Sequence, residues 1–148
     1  MMHALRTKLD QLFAVDAMAS VIIGVLALGA PHGLWELLGG SYSHSVHETL
    51  RLYGCLRLAC GWILWHIRKV DDGLFRRHVC EALFVCYVLQ ALAVFRAQMT
   101  DNSGAPAFIN IVAILFLLAL SVAYGSFRFG EGGNLIKIYE LPSSSNLQ

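Results

Sequence analysis

Three ionisable residues sit near one end of otherwise apolar stretches where a charge is costly. They are Asp16, His66 and Glu81, with Arg68 and Arg77 close by in sequence. An ionisable group within a membrane helix costs about 2.5–3.5 kcal/mol near the centre on insertion scales, so each is a functional candidate by default. At a helical rise of about 1.5 Å per residue, Asp16 is expected about 6 Å and Glu81 about 3 Å inside the membrane from the same side, with His66 at that border. Such a level could bind an anionic headgroup, an ion or a proton. The same residues could equally form ion pairs that fix a helix bundle in register, with the arginines reaching to the headgroups. Arg57 is expected deeper, about 15 Å from the border, near mid-membrane.

On the other side, His44 and His47 stand three apart beside Glu48. On a helix they share a face and could hold a metal, though solvated polar residues would look the same. A haem held by two histidines needs a second histidine at the depth of His66, and no span offers one. A chlorophyll or haem with a single axial ligand stays open. The cysteines Cys55, Cys60, Cys80 and Cys86 lie in apolar runs and form no C-x-x-C pair, so they read as small buried residues. No nucleophile, base and metal stand together at a specific spacing, which gives no case for an enzyme.

The elements that carry these residues are membrane helices. The chain has 148 residues, 57% hydrophobic and 14% charged, with a mean hydropathy of +0.59. A soluble domain of this size needs more charge to cover its surface. The formal net charge of +1 offers nucleic acid no attraction. Four stretches approach the roughly 20 apolar residues that a bilayer requires. They run over about 12–30, 50–67, 79–95 and 107–124, and the last carries no charge from Ala107 to Phe127. The apolar stretch of the first is too long for the apolar region of a signal peptide, and Leu28 and Ala30 make a poor cleavage site, so it is expected to be retained. The fold class expected is all-α: an integral membrane four-helix bundle over residues 1–127, followed by an extramembrane tail at 128–148.

Four spans place both termini on one side. Arg6, Lys8, Arg68, Lys69, Arg76, Arg77, Arg128 and Lys137 all fall there, against Arg51 and Arg96 opposite. That side is therefore expected to face the cytosol, matrix or stroma. The short charged link from Arg68 to His78 predicts a tight hairpin of spans two and three. With Ile67 and Val79 at equal depth, Cys60 falls beside Cys86, and Arg57 falls opposite Leu89, next to Gln90. Arg57 is accordingly expected to face the interior and hydrogen-bond Gln90 or backbone carbonyls. Ser20-x-x-x-Gly24, Gly54 and Gly61 would let helices approach closely. Leu34, Trp35, Leu37 and Leu38 could lie at the interface between the first two spans. The alternating apolar residues of Leu135–Tyr139 are expected to dock on a partner or on the inner surface.

From Leu50-Arg51-Leu52-Tyr53-Gly54 into the second span, the chain resembles the small four-span proteins of the tumour-protein-fifty-three-inducible protein eleven type. Leu26-Ala27-Leu28-Gly29-Ala30-Pro31 and the charged link leading to Glu81-Ala82 share the likeness, which covers Val15–Tyr124. It implies four membrane helices, termini on one side and no established activity. Arg57 stands outside that pattern.

Three functions are consistent with these features. The first is a non-catalytic accessory subunit of a respiratory or photosynthetic membrane complex, packed against other integral subunits and bound lipid in the mitochondrial inner membrane or thylakoid. The endoplasmic reticulum or another membrane would serve the same chemistry. The second is a self-standing binding or transport protein using Asp16, His66 and Glu81. The third is a lipid-active enzyme.

Overall fold

The computed structural model describes residues 2–29, 44–70, 72–100 and 107–129. They form four α-helices: α1 (Met2–Gly29), α2 (His44–Ile67), α3 (Gly73–Met99) and α4 (Ala107–Phe129). The protein is all-α. The interface cluster expected at Leu34–Leu38 and the docking segment Leu135–Tyr139 lie outside the described residues.

The helices are longer than the apolar stretches that announce them, because polar turns extend them beyond the apolar part. At the start of α3, Asp72 accepts hydrogen bonds from the backbone N–H of Leu74 at 2.9 Å and of Phe75 at 3.2 Å. This side-chain cap satisfies donors that have no partner within the helix and sets its first turn ahead of Val79. At the other end, the Thr100 backbone N–H donates to Arg96 O at 3.1 Å.

Three segments, Arg6–Gly29, Gly73–Met99 and Phe108–Phe129, are long and apolar enough to cross a membrane. The expected second span is not among them. Helix α2 is long enough at 24 residues, but Glu48, Arg51, Arg57 and His66 dilute its apolar character. Its packing nevertheless lays it along α1. A Cβ at Gly54 would stand 3.0 Å from Gly24 O, and one at Gly61 would stand 2.9 Å from Ala17 O. The two helices thus run antiparallel with their backbones nearly touching, as small residues permit. Helices α3 and α4 pair likewise, with Gly125 against the Phe84 ring.

The expected tight hairpin of α2 and α3 is corrected by this arrangement. Packing is dense between α1 and α2 and between α3 and α4, while α1 meets α4 more sparsely. The short link joins two helix pairs without making α2 and α3 a packing unit, because the glycines of α2 face α1.

Leu9, Phe13, Ala17, Leu64, Cys80, Tyr87, Leu117, Leu120 and Tyr124 fill the core. Outside lies an apolar belt, including Val15, Ile22 and Leu26 on α1, Leu56 and Ile63 on α2, Leu89 and Leu92 on α3, and Ile111, Leu115 and Val122 on α4. A water-soluble bundle would carry polar stripes there. The exterior suits lipid, and the chain is an integral membrane protein. Arg6, Lys8, Arg68, Lys69, Arg76, Arg77 and Arg128 gather where α1 and α3 begin and α2 and α4 end, with Arg51 and Arg96 towards the opposite end.

Candidate functional site

Asp16 is fully buried in the middle of the bundle. It lies on the face of α1 that also carries Phe13, Ala17 and Ser20, each buried, so the helical period aims it at the other three helices. One carboxyl oxygen, Oδ2, accepts from the Tyr87 hydroxyl at 2.7 Å and the Tyr124 hydroxyl at 2.8 Å. The other, Oδ1, accepts from Ser20 Oγ at 3.3 Å and lies 3.9 Å from Arg57 Nη2. Arg57, 4% exposed, also donates from Nη1 to the Tyr87 hydroxyl oxygen at 3.5 Å. The Tyr87 and Tyr124 rings stack at 5.9 Å, and Phe13 packs 5.9 Å from Tyr124. Every helix therefore contributes: Asp16 and Ser20 from α1, Arg57 from α2, Tyr87 from α3 and Tyr124 from α4.

Two opposite charges at this depth offset each other's desolvation only when hydrogen bonds satisfy them as well. Here both carboxyl oxygens are occupied, and both tyrosine protons are committed to one of them. The arrangement locks four helices in register across the gap between the two pairs.

Nearer the basic end, Asp10 is ion-paired with Arg76, whose guanidinium lies 5.6 Å from the Phe13 ring centroid. Arg128 Nε donates to Glu81 Oε2 at 3.0 Å. Arg68 lies over the Trp65 ring at 4.5 Å. His66 is exposed, packs with its ring tilted 4.8 Å from that of Trp62 and makes a 2.9 Å hydrogen bond through Nδ1 to the Trp62 carbonyl of its own helix. Arg77 is half-buried on α3.

The expected common level of Asp16, His66 and Glu81 is therefore not formed. The contacts of Gly61 with Ala17 and of Gly54 with Gly24 put Arg57 further from the basic end than Asp16, and the long arginine side chain reaches back to the carboxylate. Arg57 faces inward as expected, but its partners are Asp16 and Tyr87. Gln90 instead donates to Cys86 Sγ at 3.1 Å along its own helix. Cys60 and Cys86 are free and exposed, and Cys80 is buried.

Of the weak metal candidates, His47 is buried on α2, and the side chain of His44 lies outside the described residues. Glu48 is engaged with Arg51 at 3.6 Å. Among the described residues, no group of three histidine, cysteine or carboxylate side chains could hold a metal ion.

Sequence reasoning passed over Tyr87 and Tyr124 as ordinary span residues. The available signal was charge: Asp16 and Arg57 are opposite in sign, and both lie well inside their helices. A search for hydroxyl donors at that depth would have reached the tyrosines. Compared with known proteins, the chain matches no family model, no curated protein and no solved structure.

Proposed function

We propose that this protein is a small non-catalytic accessory subunit of a larger membrane assembly, packing against lipid and neighbouring integral subunits. One observation carries the reading. The buried Asp16 carboxylate is held by side chains of all four helices, while the outer surface is an apolar belt. Such a molecule has its interaction surface on the outside. A closed interior of this kind supports a structural role over the transport reading, which drew on a shared level of Asp16, His66 and Glu81. A lipid-active enzyme has the least support, since Asp16 and the hydroxyls of Ser20, Tyr87 and Tyr124 are buried where no substrate reaches them.

The topology belonging to this reading has four crossings. Helix α2 travels with α1 because their glycines interlock, and Arg57 is compensated at mid-depth instead of facing lipid. The basic end then faces the cytosol, matrix or stroma. An energy-converting organellar membrane, the mitochondrial inner membrane or the thylakoid, is the proposed home, because small accessory subunits are numerous there.

Tagged protein extracted from its native membrane in mild detergent should migrate as a discrete high-mass complex on a native gel, with defined co-purifying membrane proteins. Migration as a monomer or homodimer would refute the subunit reading and favour a self-standing protein.

A further inference from the structure

We infer that the basic end of the α1/α2 pair is a binding site for the phosphate group of an anionic membrane lipid. A cavity of about 190 Å³ lies there, lined by Asp10, Trp65, Arg68 and Lys69. At about 30 Å³ per water molecule, the space holds a phosphate with some of its hydration.

Each wall has a definite chemistry. Arg68 and Lys69 directly follow the last residue of α2. Their positions are fixed by a turn in which the backbone N–H groups of Lys69 and Val70 donate to His66 O and Ile67 O, each at 3.0 Å. The Arg68 guanidinium rests on the Trp65 ring, and its Nε is buried with no hydrogen-bond partner. That nitrogen is closed off from a ligand, but Arg68 lines the cavity and the fork of a guanidinium suits phosphate oxygens. Asp10, the one acidic wall, is neutralised by its ion pair with Arg76 and leaves the cavity net positive.

Location identifies the source of the phosphate. Tryptophan and basic residues just beyond the apolar part of a membrane helix stand at headgroup level. The cavity shares its end of the bundle with Arg6, Lys8, Arg76, Arg77 and Arg128, the end that positive charge assigns to the inner leaflet. A phosphodiester presented by a lipid arrives there with its acyl chains along the apolar belt. Soluble phosphate would lack that second contact. The inference requires only that the chain is embedded in a membrane, and it holds whether or not partner subunits exist.

Native mass spectrometry of the full-length protein in mild detergent tests it, titrating phosphatidylglycerol against phosphatidylcholine. The wild type should retain phosphatidylglycerol preferentially. Each lost cation should cost about fivefold in affinity, so Lys69→Gln alone should weaken retention about fivefold, and Arg68→Gln with Lys69→Gln about 25-fold. Arg51→Gln with Arg96→Gln, at the opposite end, should change nothing. Equal retention by wild type and both cavity variants would overturn the site, as would equal losses from the two ends. Displacement by excess inorganic phosphate would overturn the lipid as its source. Native-gel mass of the same variants is a separate readout: lost lipid selectivity with unchanged assembly separates this site from the subunit role.

Discussion

Replacing Asp16 by alanine will destabilise the protein by about 3–5 kcal/mol, the range for removing one partner of a buried charge pair. Two tyrosine hydroxyls and a guanidinium lose their acceptor at once, in a place without water to replace it. Asp16→Asn should be milder, because its amide oxygen can still accept from the tyrosines. Tyr87→Phe and Tyr124→Phe should each cost about 0.5–1.5 kcal/mol, the ordinary worth of one hydrogen bond. Thermal unfolding in detergent, followed by tryptophan fluorescence, ranks the four. An Asp16→Ala protein as stable as the wild type would mean that the carboxyl does not hold the bundle.

The second large effect belongs to the α1/α2 contact. Gly61→Ala should cost about 1–3 kcal/mol, the range for overpacking a filled interior. The added Cβ would lie 2.8 Å from Val21 Cγ2 and 2.9 Å from Ala17 O. The valine methyl group can rotate away, but the backbone oxygen can yield only if the helices separate. Alanine is the better helix former by about 1 kcal/mol, so intrinsic propensity predicts the opposite sign. A destabilised Gly61→Ala protein therefore reports close packing directly. Gly29→Ala is the control, since nothing lies within 4 Å of a Cβ there. Equal melting temperatures for Gly61→Ala and the wild type would show that α1 and α2 stand further apart.

Which parts of this architecture could be read from sequence depends on which interactions are local. The ends of α1 and α2 at Gly29 and Ile67 were legible within a residue, because the apolar run stops there together with the helix. The start of α1 was not, since the polar turns before Leu12 continue the helix without adding hydropathy. Asp16 seemed separate from Arg57 because the reach of an arginine side chain along the bundle does not show in residue spacing. The inward orientation of Arg57 followed from the cost of turning a guanidinium to lipid at that depth. Its partner did not follow. Choosing Tyr87 over Gln90 depends on how α3 is rotated and on which helices pair, and both are set by packing between distant residues. The glycines that direct this pairing were visible, but Gly24, Gly54 and Gly61 do not name their own neighbours. Glu81 illustrates the same limit: its position near the basic end was legible, while its partner Arg128 lies at the far end of another helix.

The Asp16 centre joins the two helix pairs into one bundle, and a double-mutant cycle between Asp16→Ala and Tyr124→Phe measures that link. The two residues come from different pairs, α1 with α2 and α3 with α4, and the tyrosine substitution removes only a hydroxyl. Unfolding free energies of the wild type, both single variants and the double variant give the coupling. A coupling of about 0.5–3 kcal/mol is expected, with the double variant less destabilised than the sum of the singles. Additivity within about 0.3–0.5 kcal/mol would contradict it, because residues joined by this hydrogen bond cannot act independently.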